Sequence, residues 1–552
     1  MARKYIFVSG GVISGLGKGI TTASIAFLLK ASGFKVTPVK CENYLNIDAG
    51  VINPIEHGDP FLCEDGTEAD MDIGTYEKFL NEDMSRVNFV TMGQIYKDVI
   101  DRERRFEYEG EDVEAIPHIT NEIIRRINES SEKSNAEIII VELGGTAGEY
   151  QNILYYEASR ILTLKYPGNV VHVHVSYMPT PPHLGEPKTK PTQLSVRTLN
   201  SVGIQPDFIV GRSEKPMDKR RKERLALFCN LHTDDIISSP DATTVYEVPL
   251  QLHQQHFHTR LLTKLGMSHR EPKVENWRKM VEQIKAKKTN SVTVAIVGKY
   301  FGTGEYQLRD SYAALFDALD HASWPNNVEV KTKWIDAGKM EKMGIEEMIG
   351  VVDGMIVPIG WGERGAEGMI RAASYARLKK IPFLGLCYGM QLAVVAFARD
   401  VLGWKDANTT ENNPNTTHPV IHLMPAQEKF MKHRAYGGTM RLGSWEAIVN
   451  KGTLAWEAYE AHGGFIDRGK GLTSERHRHR YEFNDTYTKA FEDAGLVISA
   501  RSVIEHLAEI IELPLKNHPF YLGTQGHPEY KSRPLRPHPL FLDFIKACKA
   551  HP

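Results

Sequence analysis

The stretch Ile381–Ala398, IPFLGLCYGMQLAVVAFA, decides how the second half of the chain is read. An apolar, strand-like run becomes a helical one at a cysteine, and Gly385-Leu386-Cys387-Tyr388-Gly389 has the form glycine-x-nucleophile-x-glycine. In a nucleophile elbow, small residues on either side let the backbone turn sharply enough to lift the reactive side chain clear of a sheet. The helix expected from Met390 onward would aim its N-terminal N–H groups at the sulfur and favour thiolate over thiol. On this pentapeptide alone a small buried cysteine with no chemistry is the alternative.

A thiol nucleophile needs a base and a group to orient that base, and Gly526-His527-Pro528-Glu529 offers both near the chain end. Side chains at i and i+2 of an extended segment share a face. Glu529 is thereby placed to orient the His527 imidazole that serves Cys387 in a Cys-His-acid triad. An oxyanion hole requires a second N–H besides that of Tyr388, and Gly360 in the loop Pro358-Ile359-Gly360-Trp361-Gly362 is the expected donor. Isoleucine at 359 resists the positive φ that a glycine would permit, so the Gly360 N–H is expected to be misaimed until an activator binds.

Short β-branched runs punctuate the rest of the chain: YIFVSG, FKVTPVK, EIIIVELGG and NVVHVHVSY in the first half, VTVAIVGKY and GMIVPIG in the second. Each leads into a Gly-rich turn or a helical period, the pattern of α/β domains built on parallel sheets. The polar, charged stretch between the halves reads as a helical linker. The organisation expected is α/β with two parallel-sheet domains, a phosphate-loop-like domain over 1–268 and a thiol domain over 291–552, joined by a helical linker at 269–290.

With 67 Lys+Arg against 69 Asp+Glu in 552 residues, the net charge is −2. That balance gives no global attraction to nucleic acid or to a membrane surface, so any bound anion needs a local site. Five cysteines, odd in number and without C-x-x-C spacing, argue against a disulfide framework or a zinc site and for a reducing compartment. No segment approaches the ~18 apolar residues of a membrane span, and the expectation is a soluble cytoplasmic protein.

Near the N-terminus, YIFVSGGVISGLGKGITTASIAFLLK sets a glycine-rich loop and Lys18 between a strand and an apolar helix. Backbone N–H groups and the helix N-terminus would cradle phosphates while Lys18 neutralises charge. Val12 stands where the ordinary motif has its first glycine, and Gly19 where it has a magnesium-holding hydroxyl. The metal must then find its ligands elsewhere, with Asp72 in EDGTEADMDIG and Glu142 at the end of EIIIVE as the carboxylates that suit Mg²⁺. Lys188-Thr189-Lys190-Pro191-Thr192-Gln193 gathers two lysines and two hydroxyls that could grip a triphosphate, whereas Lys219-Arg220-Arg221-Lys222 reads as a solvated helix face.

Taken together, GLCYGMQ with HPE resembles the class I glutamine amidotransferases, and SGGVISGLGKGI, EDGTEADMDIG, VELGGTAGE and KTKPTQ in that order resemble the amidoligase half of the CTP synthase family. The resemblance covers nearly the whole chain. It implies that glutamine is hydrolysed at the C-terminal site, that ATP phosphorylates O4 of UTP at the N-terminal site, and that ammonia then displaces the phosphate to give CTP. It further implies ATP contacts from Ser14, Gly15, Leu16, Gly17, Lys18, Gly19, Lys40 and Asp72, with Mg²⁺ on Asp72 and Glu142. UTP or the product CTP would meet Ser14, Glu149, Tyr150, Gln151, Lys188, Lys190, Gln193 and Arg224, the last standing where the family has a lysine. Glutamine would be held by Gln391, Glu411 and Arg478; Arg364 lies in the stretch tied to activation by GTP, and a homotetramer is implied. Departures from the family are Ile359 for glycine in PIGWG, Gly526 for an aromatic before HPE, Lys40-Cys41-Glu42-Asn43-Tyr44 for K-x-D-P-Y, and Gly148-Glu149-Tyr150-Gln151-Asn152 for G-D-I-E-S. Another ATP-dependent glutamine amidotransferase, such as a cobyrinate amide synthase, would lack a reason for KTKPTQ, and a non-enzymatic nucleotide switch would lack one for an intact triad.

Overall fold

The computed structural model describes residues 3–54, 58–183, 185–303, 306–307 and 309–551. The chain divides into two compact units, one made of the residues up to Ile47 with Asp72–Lys285, the other of Asp48–Met71 with the residues from Ala286 onward.

In the first unit seven strands form one sheet: β1 Lys4–Gly11, β2 Val36–Glu42, β3 Phe89–Thr91, β4 Ile138–Leu143, β5 Val170–Tyr177, β6 Phe208–Ser213 and β7 Ile236–Pro240. They lie in the order β3-β2-β4-β1-β5-β6-β7, and every neighbouring pair is parallel. Both faces of such a sheet are covered, which is why IIIVEL of β4 is buried along its whole length. The helices that matter below are α1 Lys18–Ala31, α2 Met71–Leu80, α3 Lys190–Ser201, α4 Lys219–Cys229, α5 Val248–Gln254, α6 Phe257–Lys264 and α7 Glu275–Lys285. The span 269–290, expected as a linker, carries α7. Its Trp277 is buried, stacks on Phe27, Phe79 and Tyr246 at centroid distances of 4.3, 5.3 and 5.7 Å, and donates Nε1–H to the Tyr246 carbonyl at 2.7 Å. That helix is packed into the first unit rather than strung between two.

The second unit is built on nine strands: β8 Asn290–Gly298, β9 Val328–Asp336, β10 Gly354–Val357, β11 Phe383–Leu386, β12 Arg441–Val449, β13 Leu472–His479, β14 Val497–Ser502, β15 Ala508–Leu513 and β16 Tyr521–Thr524. Their order is β9-β8-β10-β11-β16-β15-β14-β12-β13. The first five are mutually parallel and the remaining pairs antiparallel. The expected parallel sheet is thus one side of a mixed sheet; its antiparallel side includes β13, LTSERHRH, a charged strand with no alternating apolar pattern to announce it. Successive residues of β10 and β11 alternate between two apolar clusters, Met355, Val357 and Phe383 in one, Ile356, Leu384 and Leu386 in the other, as the strand period of two requires. Helix α8, Tyr388–Asp400, follows β11 directly.

Segment Asp48–Met71 belongs to this second unit although it lies far upstream in sequence. It delivers Glu68 to Arg478 and Glu64 to Arg476, at 2.6 and 3.2 Å, and Asp59 accepts the Tyr530 hydroxyl at 2.9 Å. Both guanidiniums are buried, where an unpaired charge is strongly destabilising. Among the described residues no helix is long and apolar enough to cross a membrane.

Candidate functional site

Two clusters stand at the carboxyl ends of parallel strands, the place where open α/β sheets bind ligands. In the second unit Cys387 joins β11 to α8 with φ 49° and ψ −102°, a conformation that costs a non-glycine residue about 1–3 kcal/mol unless its surroundings enforce it. The flanking glycines do so. A Cβ on Gly389 would lie 2.7 Å from the Val357 carbonyl carbon and nearer still to its oxygen, and one on Gly385 would lie 2.9 Å from the Gly389 carbonyl. The Cys387 N–H donates to the Thr524 carbonyl of β16 at 2.8 Å, while its thiol faces the Arg478 carbonyl at 3.8 Å and receives the Gln525 amide at 3.5 Å.

His527 follows β16 and is fully buried; its Nδ1 shares a 2.7 Å hydrogen bond with Glu529 Oε1 and its ring stacks on Tyr530 at 5.2 Å. Its Nε2 has no hydrogen-bond partner among the described residues, which leaves it open to a proton from the thiol. Burial alone would lower the imidazole's affinity for a proton. The Glu529 carboxylate and then the Cys387 sulfur outweigh it and push His527 up to about 10. An imidazolium held in this way is the partner that a thiolate needs.

Around this pair the expected glutamine contacts gather. Gln391 donates to the Tyr481 carbonyl at 2.9 Å and to Gln525 Oε1 at 3.2 Å, linking it to the residue that caps the sulfur. Arg478 is held by Glu68 and by the Gly50 carbonyl at 2.9 Å, with its guanidinium 5.5 Å from the Trp361 ring. Glu411 accepts the Gly362 N–H at 2.7 Å, and burial pushes its carboxyl up. Gly360 lies against the Tyr388 ring, where a Cβ would come within 3.2 Å of Cδ1. Tyr388 itself opens α8, whose first N–H groups have no intrahelical partner.

The loop carrying Gly360 is fixed by Lys299, which sits 4.4 Å over the Tyr388 ring and donates to the Trp361 carbonyl at 2.9 Å and to that of Gly362. Burial lowers the Lys299 ammonium to about 8. Arg364 donates to the Lys299 carbonyl at 3.1 Å. Neither Ile359 nor Gly360 has a positive φ, and Ile359 is buried in the apolar cluster beneath the sheet. The turn therefore makes no use of the freedom that glycine would add, as a β-branched residue at 359 requires. Gly526 has its own reason. A Cβ there would stand 2.8 Å from Glu475 Cβ, so the aromatic usual at this place would have no room.

In the first unit Lys18 opens α1 behind a loop in which Val12, Gly15 and Gly17 have φ of 84°, 69° and 96°. Lys18 Nζ donates to the Gly145 carbonyl at 2.6 Å, and burial followed by the Lys40 charge lowers its proton affinity. Lys40 on β2 stands opposite Glu142 on β4 in the strand register and pairs with Glu142 at 2.9 Å, with Glu42 at 3.0 Å and with Asp72 at the start of α2. The Tyr76 hydroxyl donates to the second oxygen of Glu142. Burial and the Asp72 charge raise the Glu142 carboxyl, whereas Lys40 overrides burial at Asp72 and lowers it.

Gly19 now has a physical reason. A Cβ there would lie 2.7 Å from Asp72 Cγ and nearer its Oδ1, so the carboxylate fills the space of the missing hydroxyl residue. Three carboxylates converging on one ammonium, all donors being oxygen, fit a hard divalent cation such as Mg²⁺.

Helix α3, which carries Lys190 and Gln193, packs against the start of this loop. Gly11 abuts α3, where a Cβ would meet Ser195 Cβ at 2.8 Å, and Gly148 abuts Thr198 of the same helix at 2.8 Å. Lys188 pairs with Glu186 at 2.5 Å just before α3, Lys190 is exposed, and the buried Gln193 donates to Thr189 Oγ1 at 3.2 Å. Glu149 is engaged by its own turn, accepting the Thr146 N–H and hydroxyl at 2.7 Å each; Tyr150 and Gln151 are exposed. Ser14 and Gly15 are exposed and Leu16 buried. Arg224 is exposed on α4, 5.7 Å over Phe228 of its own helix.

Several side chains at these clusters escaped the sequence reading: Gln525 on the sulfur, Lys299 under the loop, Glu68 on Arg478, and Arg212, whose Nε would lie 3.8 Å from a Cβ on Gly17. Gln525 and Lys299 had a weak signal, each ending an apolar run; Glu68, paired across 410 positions, had none.

Residues 4–267 match the family described as CTP synthase N-terminus, and residues 307–547 match glutamine amidotransferase class-I. The chain is 48% identical over 550 residues to a CTP synthase of Pyrococcus abyssi, covering 99% of this chain and 98% of that protein. It is 45% identical over 545 residues to one from Caldanaerobacter subterraneus subsp. tengcongensis, with 99% and 98% covered, and 45% over 555 residues to one from Thermus thermophilus, with 100% and 97% covered. Two such clusters in one chain, matched end to end at this identity, place it: the chain belongs to the CTP synthase family.

Proposed function

We propose that the chain converts UTP to CTP with ammonia drawn from glutamine, Cys387, His527 and Glu529 releasing the ammonia and the Lys18–Lys40–Asp72–Glu142 cluster spending ATP. The observation that carries this reading is the strained Cys387 elbow beside a histidine whose Nδ1 is held by Glu529 and whose Nε2 is left open. His527 takes the thiol proton, the thiolate attacks the glutamine amide carbon, and the N–H groups of Gly360 and Tyr388 receive the oxyanion. Imidazolium returns the proton to the leaving amine, and water then clears the thioester. Gln391, Glu411 and Arg478 hold the glutamine.

Uracil C4 carries a poor leaving oxygen, which is why phosphorylation must precede amination. ATP sits over the loop Ser14–Gly19 with Lys18 and Lys40 on its phosphates, and UTP is gripped by Lys188, Lys190, Gln193 and Arg224. Mg²⁺ held by Asp72 and Glu142 neutralises charge on the phosphoryl group when bound. By family resemblance GTP activates through the Arg364 stretch, CTP inhibits through Glu149, Tyr150 and Gln151, and the working form is a cytoplasmic homotetramer, in keeping with five unbridged cysteines.

The test is CTP formation from UTP, ATP and Mg²⁺ with either glutamine or ammonium chloride. Cys387→Ala is expected to lose the glutamine-driven rate and keep the ammonia-driven one; loss of both would refute the division of labour.

A further inference from the structure

We infer that His253, His258 and Glu271 form a binding site for a divalent transition-metal ion of the zinc class. His253 lies in the last turn of α5, His258 in the first turn of α6, and Glu271 in the segment between α6 and α7. Their ligating atoms all lie within 4.8 Å of one another, and the two imidazoles have ring centroids 5.1 Å apart. Each His Nε2 faces Glu271 Oε2, at 3.7 Å from His253 and 3.9 Å from His258.

Those separations are too long for hydrogen bonds. Ligands on a tetrahedral ion at roughly 2.0–2.1 Å are spaced by about 3.3–3.5 Å, so the two histidine–carboxylate separations need close by only a few tenths of an ångström, and the separation between the imidazoles by as much as about 1.5 Å. Glu271 is free to make the first shift, its side chain being 82% exposed. His258, by contrast, is fixed: it is 1% exposed, and its Nε2 shares a 3.1 Å hydrogen bond with the Thr259 hydroxyl, which an ion on that nitrogen would displace.

The donor set distinguishes this site from the carboxylate cluster at the phosphate loop. Two imidazoles with one carboxylate favour Zn²⁺, Co²⁺ or Ni²⁺, whereas oxygen alone favours Mg²⁺. The role is a structural staple. On either side of Glu271 the chain docks at the end of α1, where Arg270 lies 4.4 Å over Phe34 and the Lys273 N–H donates to the Ala31 carbonyl at 3.0 Å. An ion here would tie that docking to the α5–α6 corner.

The full-length chain, stripped with a chelator, would be titrated with Zn²⁺ by calorimetry and with Co²⁺ by absorption spectroscopy. Expected are one equivalent of tight binding, a Co²⁺ spectrum without thiolate charge transfer, and a rise in Tm on adding Zn²⁺. Glu271→Ala, at an exposed position that should not disturb folding, is expected to weaken binding roughly tenfold or more, and His253→Ala to abolish it. Absence of binding, binding unchanged in both variants, or a thiolate band placing the ion on a cysteine would each overturn the proposal.

Discussion

Gly389→Ala isolates the elbow from the rest of the chemistry. The added Cβ would stand 2.7 Å from the Val357 carbonyl carbon, against an ordinary separation of roughly 3.5–4.0 Å, so α8 and the β10 backbone must part by about 0.8–1 Å or more. Neither side is flexible, since Val357 and Gly389 are both buried in the sheet–helix interface. The destabilisation expected is about 1–3 kcal/mol, which a unit of this size withstands. The displacement falls on Cys387, two residues away, and a misplacement of about 1 Å at a reacting atom costs on the order of 10²-fold. Glutaminase kcat should drop by that factor while ammonia-driven CTP formation, measured on the same preparation, stays near wild type. Gly385→Ala, whose Cβ would meet the Gly389 carbonyl carbon at 2.9 Å, should be the milder of the two. A Gly389→Ala enzyme with normal glutaminase activity and an unchanged far-UV spectrum would refute the close approach as the device that shapes the elbow.

Three further outcomes follow from the same geometry. Glu529→Gln should lower glutaminase kcat by roughly 10²-fold, and its stability deficit should depend on pH: His527 is raised from its ordinary 6.5 to about 10, so the ion pair contributes fully below 6.5 and is lost as pH rises through 10. Urea midpoints of the two proteins should converge across that window, and a constant gap would count against the pair. Gly19→Ser should drive a side chain into the Asp72 carboxylate and cut CTP formation from both nitrogen sources by roughly tenfold or more, with the glutaminase intact; unaltered ammonia-driven synthesis would dismiss the exchange of space between Gly19 and Asp72. Gln151→Glu restores a carboxylate at an exposed place in the turn after β4, and should tighten CTP inhibition severalfold while moving the apparent UTP affinity less; an unchanged inhibition constant would remove Gln151 from the product site.

What could be read from sequence was whatever local chemistry demands. The elbow, the His527–Glu529 pair and the Lys18 loop each announce themselves within a few residues, because all three are short-range requirements, although Glu529 reaches His527 from the 3₁₀ turn Pro528–Lys531 and not along the extended segment expected. Asp72 and Glu142 were legible as a pair of carboxylates for one cation, but not as the partners of Lys40; only the fold brings both to it. The antiparallel side of the second sheet was illegible, since Arg476, Arg478 and their neighbours in β13 look solvated until Glu64 and Glu68 are set against them. Ile359 takes the ordinary backbone angle that a β-branched residue favours, so there the residue type was a sound guide to the angle.

The assignment of Asp48–Met71 to the second unit carries a consequence for synthesis. Glu68 and Arg478 are 410 positions apart, Glu64 and Arg476 412, and Asp59 and Tyr530 471. A ribosome adding about 5–20 residues per second needs roughly 20–95 s to pass from one partner to the other. Through that interval the first unit can fold, but its neighbour's carboxylates wait as an emerged loop without the arginines that will hold them. The glutaminase therefore comes into being last and all at once, when the chain is nearly finished, and a truncated product ending before Arg476 would carry an amidoligase with its own nucleotide site and no means of taking nitrogen from glutamine.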